Sequence, residues 1–254
     1  MMSRLRFVSH EVSEGIVLSV IDLTQFSDIR EIIDEWFVSI CEGRSGSDLQ
    51  TVKKRVHNLF KTKNIQWVQG AVAEFFVHLY LKMFGLKQEC LFLNLEENSI
   101  KKGFDGFYSD KNKEAWLMES KSGSMTSKGI SHASKVLEAM RVLENKVTGQ
   151  EAHVNPWRNA YSHASHIDVE SSKDIRDTLR ELSNAYTNGI YHQIEEFNTI
   201  PCGTIYLDGI QLVYSEDKVV KDIQRCKNKL KGSRVHVICV TNRTVRDFIS
   251  YISS

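Results

Sequence analysis

Proline is scarce in this chain: Pro156 and Pro201 are the only two among 254 residues. No low-complexity linker or internal repeat interrupts the sequence, so it reads as one large domain, or a core with an attached helical part. The five cysteines, Cys41, Cys90, Cys202, Cys226 and Cys239, are odd in number and widely spaced, with no Cys-x-x-Cys pair. With no secretory leader in view, that usage points to a reduced, cytoplasmic protein. No apolar run approaches the roughly 18 residues that a membrane helix needs. A Gly-rich Walker-type loop is missing, so nothing in the chain could hydrolyse ATP. An excess of one charge is missing too: 33 Lys and Arg face 32 Asp and Glu, a formal net charge of +1. That balance argues against a generic cationic nucleic-acid binder, and any such site must be a local patch or be completed by a partner.

What is present is enough apolar material for a sizeable core, with 41% hydrophobic residues. β-Branched runs predict strands over 4–21, and helical spacing predicts helices over 27–42 and 49–61. The strongest helical pattern is 68–84, where Val72, Phe75, Leu79 and Met83 recur on one stripe and Gly85 marks the stop. Residues 91–95 read as a strand feeding the next segment, 130–145 and 171–186 as helices, 203–207 and 235–240 as strands, and 244–252 as a closing helix. The polar, histidine-bearing stretch 146–168 reads as a long irregular connection. His163 and His166 lie three apart there, but no cysteine or carboxylate is spaced to complete a zinc site. The sum is an α/β arrangement, a central mixed β-sheet flanked by helices.

The most informative segment is Gly103-Phe104-Asp105-Gly106, followed by an apolar run ending in Glu119-Ser120-Lys121. Aromatic and apolar residues fill 104–108 and 114–120, and a polar cluster lies between them, so the segment predicts a β-hairpin. Period-2 alternation puts Glu119 and Lys121 on one strand face and Trp116, Met118 and Ser120 on the other. With the turn centred on Asn112, Asp105 falls opposite Glu119, where two carboxylates repel unless a cation sits between them. Mg²⁺ suits such a place, being a hard ion that takes one or two carboxylates and keeps several waters; Mn²⁺ is an alternative. Lys121 would then lie beside the metal, able to position an attacking water and offset charge on a phosphate. The competing reading is an ordinary hairpin in which Asp105 serves a turn and Glu119 and Lys121 form a solvated pair of little energetic weight.

The order Asp, thirteen intervening residues, then Glu-x-Lys at the end of an apolar strand resembles the PD-(D/E)xK nuclease signature, with Phe104 where that pattern often has proline. More narrowly, Gly-Phe-Asp-Gly followed by a strand ending in Glu-Ser-Lys is similar to the HamA family, the nuclease subunits of the Hachiman antiphage defence system. The resemblance implies a restriction-endonuclease-like core over about 65–145 and 203–254, with a helical or irregular insertion over 146–200, in a single nuclease domain. It implies a Mg²⁺-dependent DNA endonuclease leaving 5′-phosphates, with Asp105 and Glu119 as metal ligands, the Ser120 carbonyl as a further one, and Lys121 on the nucleophilic water. It also implies a helicase partner that holds the enzyme inactive until aberrant DNA is sensed. A stand-alone restriction endonuclease, an RNA-cleaving toxin and a non-catalytic nucleic-acid-binding subunit remain open alternatives.

Around that core, Gly70, Glu74, His78 and Lys82 share one face of the 68–84 helix at successive i+4 positions. Glu74 either joins the acidic cluster, as an early-helix acid commonly does in these nucleases, or simply lies on a polar face. Gly70 would suit a close backbone approach despite costing roughly 1 kcal/mol of helix stability. Residues 122–127 read as a small polar loop able to approach a phosphate backbone. From 101 to 146 nine Lys or Arg face six Asp or Glu, and Lys128, Lys135 and Arg141 would decorate the outer face of the 130–145 helix. A second basic run, 218–234, reads as an amphipathic helix whose Arg225 and Lys229 either contact phosphates or form a solvated face.

Overall fold

The computed structural model describes residues 5–94, 99–100, 103–150, 154–210, 215–243 and 245–254. An antiparallel hairpin comes first, β1 (Arg6–Ser13) and β2 (Ile16–Leu23). Three helices follow, α1 (Arg30–Glu42), α2 (Leu49–Lys61) and α3 (Ile65–Met83). Asp48 caps α2 by accepting from the Thr51 amide at 2.9 Å, and Asn64 caps α3 through the Trp67 amide at 2.9 Å, which fixes where each begins. The short strand β3 (Lys87–Gln88) is followed by a small separate ribbon of β4 (Leu93–Asn94) and β5 (Ser99–Ile100). The hairpin β6 (Gly106–Ser109) and β7 (Ala115–Ser124) comes next, then three helices, α4 (His132–Val147), α5 (Pro156–Ala164) and α6 (Lys173–Thr187). The last elements are β8 (Asn198–Tyr206), α7 (Glu216–Cys226), β9 (Val235–Asn242) and α8 (Val245–Ser253).

Seven strands form one mixed sheet in the order β1-β2-β9-β8-β7-β6-β3. Its centre is parallel, β2 on β9, β9 on β8 and β8 on β7, and both margins are antiparallel. Every residue of β8 and β9 is buried, which is why 235–240 reads as a continuous apolar run rather than an alternating one. The fold is thus the α/β architecture expected, a central sheet with helices on both faces.

Alternation along β7 assigns the two faces. Met118 packs with α1, α2, α3 and α8 in the larger core, while Leu117 packs with Phe104, Phe107 and the inner residues of α4, α5 and α6. Phe248 of α8 lies at the centre of the first layer, its ring 4.9 Å from Phe75 and 5.6 Å from Phe76. On the second face α4 comes unusually close to the sheet. A Cβ at Gly203 of β8 would lie 2.7 Å from the His132 carbonyl oxygen, so only glycine admits the first turn of α4 there.

Several expectations need correction. The stretch 122–127 is not a loop throughout, because β7 runs on to Ser124, where it pairs with Tyr206 of β8. The stretch 146–168 is not irregular throughout: among its described residues α4 reaches Val147, and Pro156 occupies the first turn of α5 behind an Asn155 cap. Residues 218–234 do not make one helix, since α7 ends at Cys226 and a 3₁₀ turn, Lys227–Lys229, leads toward β9. The strand expected over 91–95 pairs with β5 and stays outside the main sheet, and its residue 95 lies outside the described residues. The helix expected over 68–84 is buried nearly all round, so Glu74 and His78 lie inside the protein rather than on a solvated face.

Candidate active site

The β6–β7 hairpin pairs Gly106 with Met118, Tyr108 with Trp116 and Ser109 with Ala115, a register centred on Asn112. Asp105 is the residue before β6, and a one-residue extension of this register would set it against Glu119. Asp105 continues the ladder with its side chain, its Oδ2 accepting from the Ser120 amide at 2.9 Å. Within a strand the N–H and C=O of one residue face the same neighbour, so the Ser120 carbonyl is turned to the same edge as Asp105. The turn carrying Asp105 is held from below by Phe104, whose ring stacks edge-on against Trp157 of α5 at 4.9 Å.

Glu119 is only 1% exposed. Burial, and then the Asp105 charge, push its carboxyl above the ordinary value, while Lys146 and Lys121 pull the other way. Lys121 Nζ donates to Glu119 Oε1 at 2.6 Å. Burial alone would lower the Lys121 pKa, but Glu119 and then Asp105 outweigh it and the net shift is upward, so its ammonium is retained. The second oxygen of Glu119 accepts from Lys146 Nζ of α4, also at 2.6 Å, and Lys146 donates as well to the Gly103 carbonyl.

Lys146 is the site residue that the sequence did not reveal. It lies 27 residues from Glu119, and the available signal was its position between Leu143 and Val147 on the inward stripe of α4. A lysine among core positions is unusual unless it is paired.

Glu74 approaches from the other face of the sheet. His78, fully buried, bridges it to the hairpin: His78 Nε2 lies 3.3 Å from Glu74 Oε1, and His78 Nδ1 hydrogen-bonds the Tyr108 hydroxyl. Because a carboxylate only accepts, Nε2 carries the proton and Nδ1 accepts from the phenol. Burial, then the neighbouring Cys90, Cys202, Glu74 and Asp105, hold the Tyr108 pKa well above its ordinary value, so the phenol stays a donor. Glu74 and Asp105 are thus both felt at the Tyr108 hydroxyl. Nothing crowds Gly70, one turn earlier: a Cβ there would meet no atom within 4 Å.

The four basic residues picked for nucleic-acid contact lie in separate places. Lys128 is exposed in the turn after β7, and Lys135 on α4 pairs with Glu138 at 2.8 Å. Arg225 on α7 pairs with Asp222 at 3.1 Å. Lys229 is exposed and lines, with Arg141 and Lys231, an open groove of about 600 Å³ between α4 and the turn after α7. Farther along the basic run, Lys231 pairs with Glu144, and Arg234 pairs with Asp110 and Glu114 while its guanidinium covers the Trp116 ring at 4.7 Å.

Among the described residues no group of three or more His, Cys, Asp and Glu could hold a metal ion. The oxygens that this hairpin could offer are two carboxylates and a main-chain carbonyl, all hard donors, with Asp105 close enough to raise the Glu119 pKa. That set fits Mg²⁺ or Mn²⁺, which retain waters, and not a soft-ligand metal.

The fold and this cluster define an α/β protein with a partly buried carboxylate pair, Asp105 and Glu119, and two lysines on Glu119. The family model for HamA matches residues 20–254, nearly the whole chain, and the chain belongs to the HamA family. It is therefore a component of Hachiman defence. Comparison with curated proteins finds no match. No helix among the described residues is long and apolar enough to cross a membrane.

Proposed function

We propose that this HamA protein is a metal-dependent endodeoxyribonuclease of the PD-(D/E)xK class, kept in check by a helicase partner. The single observation that carries the reading is the opposition of Asp105 and Glu119 across the hairpin, with Lys121 bonded to Glu119. Asp105, Glu119 and the Ser120 carbonyl would hold Mg²⁺, which when bound would polarise the scissile phosphate and lower the pKa of a bound water. Asp105 and Glu119 orient that site because one is fixed by the Ser120 amide and the other by two ammonium groups. Lys121, retained as a cation, would hold the attacking water through a hydrogen bond and offset charge gathering on the phosphate oxygens. Glu74, held by His78, would serve as an accessory acid. Lys128 and Lys229, both exposed, would contact the phosphate backbone, with Lys135 and Arg225 joining once their present acidic partners are exchanged for phosphate.

The near-neutral net charge supports completion of the DNA track by a partner, which is where the helicase enters. The test is cleavage of supercoiled plasmid by the purified protein with Mg²⁺, alone and with a helicase if one is encoded beside it. A Glu119→Ala, Lys121→Ala double variant and an EDTA control complete the experiment. Nicking or linearisation that both controls abolish is the expected result. Intact plasmid in every arm, helicase included, would leave the cluster without catalytic meaning.

A further inference from the structure

Both oxygens of the Glu119 carboxylate are occupied by ammonium groups, Lys121 on Oε1 and Lys146 on Oε2, each at 2.6 Å. We infer that Lys146 is the built-in counter-cation of the carboxylate pair, and that a divalent cation entering without nucleic acid must displace its ammonium from Glu119. The inference rests on the nuclease reading and adds to it a control on metal loading.

The first argument is charge. Asp105 and Glu119 contribute two negative charges and Lys121 and Lys146 two positive ones, so the resting cluster is balanced without a metal. A dication added with both lysines in place would put two uncompensated charges into a site where Glu119 is 1% exposed, which desolvation makes costly. One ammonium must therefore leave, or an anion must arrive with the metal.

The second argument decides which lysine moves. Lys121 is part of β7, fixed two residues from Glu119 on a strand that pairs there with Gly203 of β8. Lys146 reaches in from another element, on the last turn of α4. Its flexible stem can carry the ammonium outward along the helix surface.

The third argument is that Lys146 is not needed as a strut. It does bond the Gly103 carbonyl, but the 103–105 turn has other anchors. Phe104 packs on Trp157, Asp105 bonds the Ser120 amide, and Gly103 is seated so closely on α5 that a Cβ would lie 3.1 Å from the Asn159 Cβ and 3.2 Å from the Pro156 carbonyl. What no other described residue duplicates is its charge on Glu119 Oε2. When displaced, that ammonium is free to meet a phosphate oxygen, the anion that the proposed substrate supplies. Metal capture and nucleic-acid binding then favour one another, and the protein without DNA stays poorly loaded.

The experiment measures Mn²⁺ affinity by electron paramagnetic resonance and calorimetry, without nucleic acid, for the wild type, Lys146→Met, Lys146→Gln and Asp105→Asn. Removing one positive charge from beside a dication in a partly buried site tightens binding by about tenfold or more. Both Lys146 variants should show that gain, and the Mn²⁺-induced rise in melting temperature should be larger for them than for the wild type. A phosphorothioate oligonucleotide that resists cutting should tighten Mn²⁺ binding to the wild type more than to Lys146→Met. Equal or weaker binding by both Lys146 variants, with Asp105→Asn abolishing it, would overturn the role of Lys146 and leave the metal site standing. Binding that survives Asp105→Asn unchanged would place the cation elsewhere and sink the nuclease site together with this inference.

Discussion

Replacing Ser120 by alanine should stabilise the protein while leaving its proposed chemistry intact. Ser120 follows Met118 in pointing to the α3 side of the sheet, and its Oγ is buried with no hydrogen-bond partner among the described residues. A buried, unsatisfied hydroxyl costs on the order of 1–3 kcal/mol relative to one left in water. Deleting one oxygen atom opens almost no cavity, so a net gain of about 1 kcal/mol is expected. For a protein of this size that raises the melting temperature by about 2–4 °C. Calorimetry and urea titration in EDTA provide the assay, and the gain should appear as a higher midpoint at unchanged m-value. The proposed metal ligand at this position is the main-chain carbonyl, which alanine keeps, so plasmid cutting should stay within about twofold of the wild type. Thr204→Val is the matched control away from the acids, since Thr204 Oγ1 is likewise buried and unpartnered. A fall in melting temperature for Ser120→Ala would refute the reasoning, because it would mean that the hydroxyl is paired and supports the strand.

Three further outcomes follow from the packing and charge. Trp157→Ala removes the ring beneath Phe104, and as a buried aromatic truncation should cost about 3–5 kcal/mol; a melting temperature within 2 °C of the wild type would show that the turn under Asp105 does not depend on it. His236 is buried against Ser19, and burial lowers its pKa from 6.5 to about 4. The unfolded chain therefore binds the extra proton first, and the His236 contribution should be fully present above about pH 6.5 and fall away as the pH drops toward about 4. Stability that does not decline in that window, or declines equally in His236→Asn, would contradict this. Reversing charge at Lys128 and Lys229 together should weaken DNA binding for all sequences alike and reduce the slope of log affinity against log salt by roughly two; an unchanged slope in a filter-binding titration would remove both from the phosphate track.

Symmetric pairing made the hairpin legible in the sequence. Two apolar arms equidistant from Asn112 fix a register, and that register alone sets Asp105 against Glu119. Helix α2 was equally plain, because Asp48 caps it and its inward residues keep a strict helical period. Other elements were hidden by specific physical causes. Strand β3 has two residues, too few for any alternation to show. The first half of β8 was masked by Pro201, which lacks an amide to donate and normally argues against a central strand, yet it lies opposite Glu119 in the β7–β8 register. Helix α5 is short and polar, although Asn155-Pro156 is the cap-and-first-turn signal that would have located it. Lys146 could not be paired with Glu119 by any local rule, because the contact exists only once Gly203 lets α4 settle on the sheet.

The order of strands in the sheet differs sharply from their order in the chain, and this bears on when the molecule can be assembled. β2 belongs to the first 23 residues, while β8 and the hairpin come far later, and β9 alone joins the two groups. Until the ribosome has passed Asn242, the amino-terminal pair and the acid-bearing hairpin share no hydrogen-bonded sheet, and the partly made chain exposes two unpaired strand edges. Long-range pairing of this kind folds slowly. A nascent chain thus cannot set the carboxylates and lysines in a finished seven-stranded framework before β9 has been made.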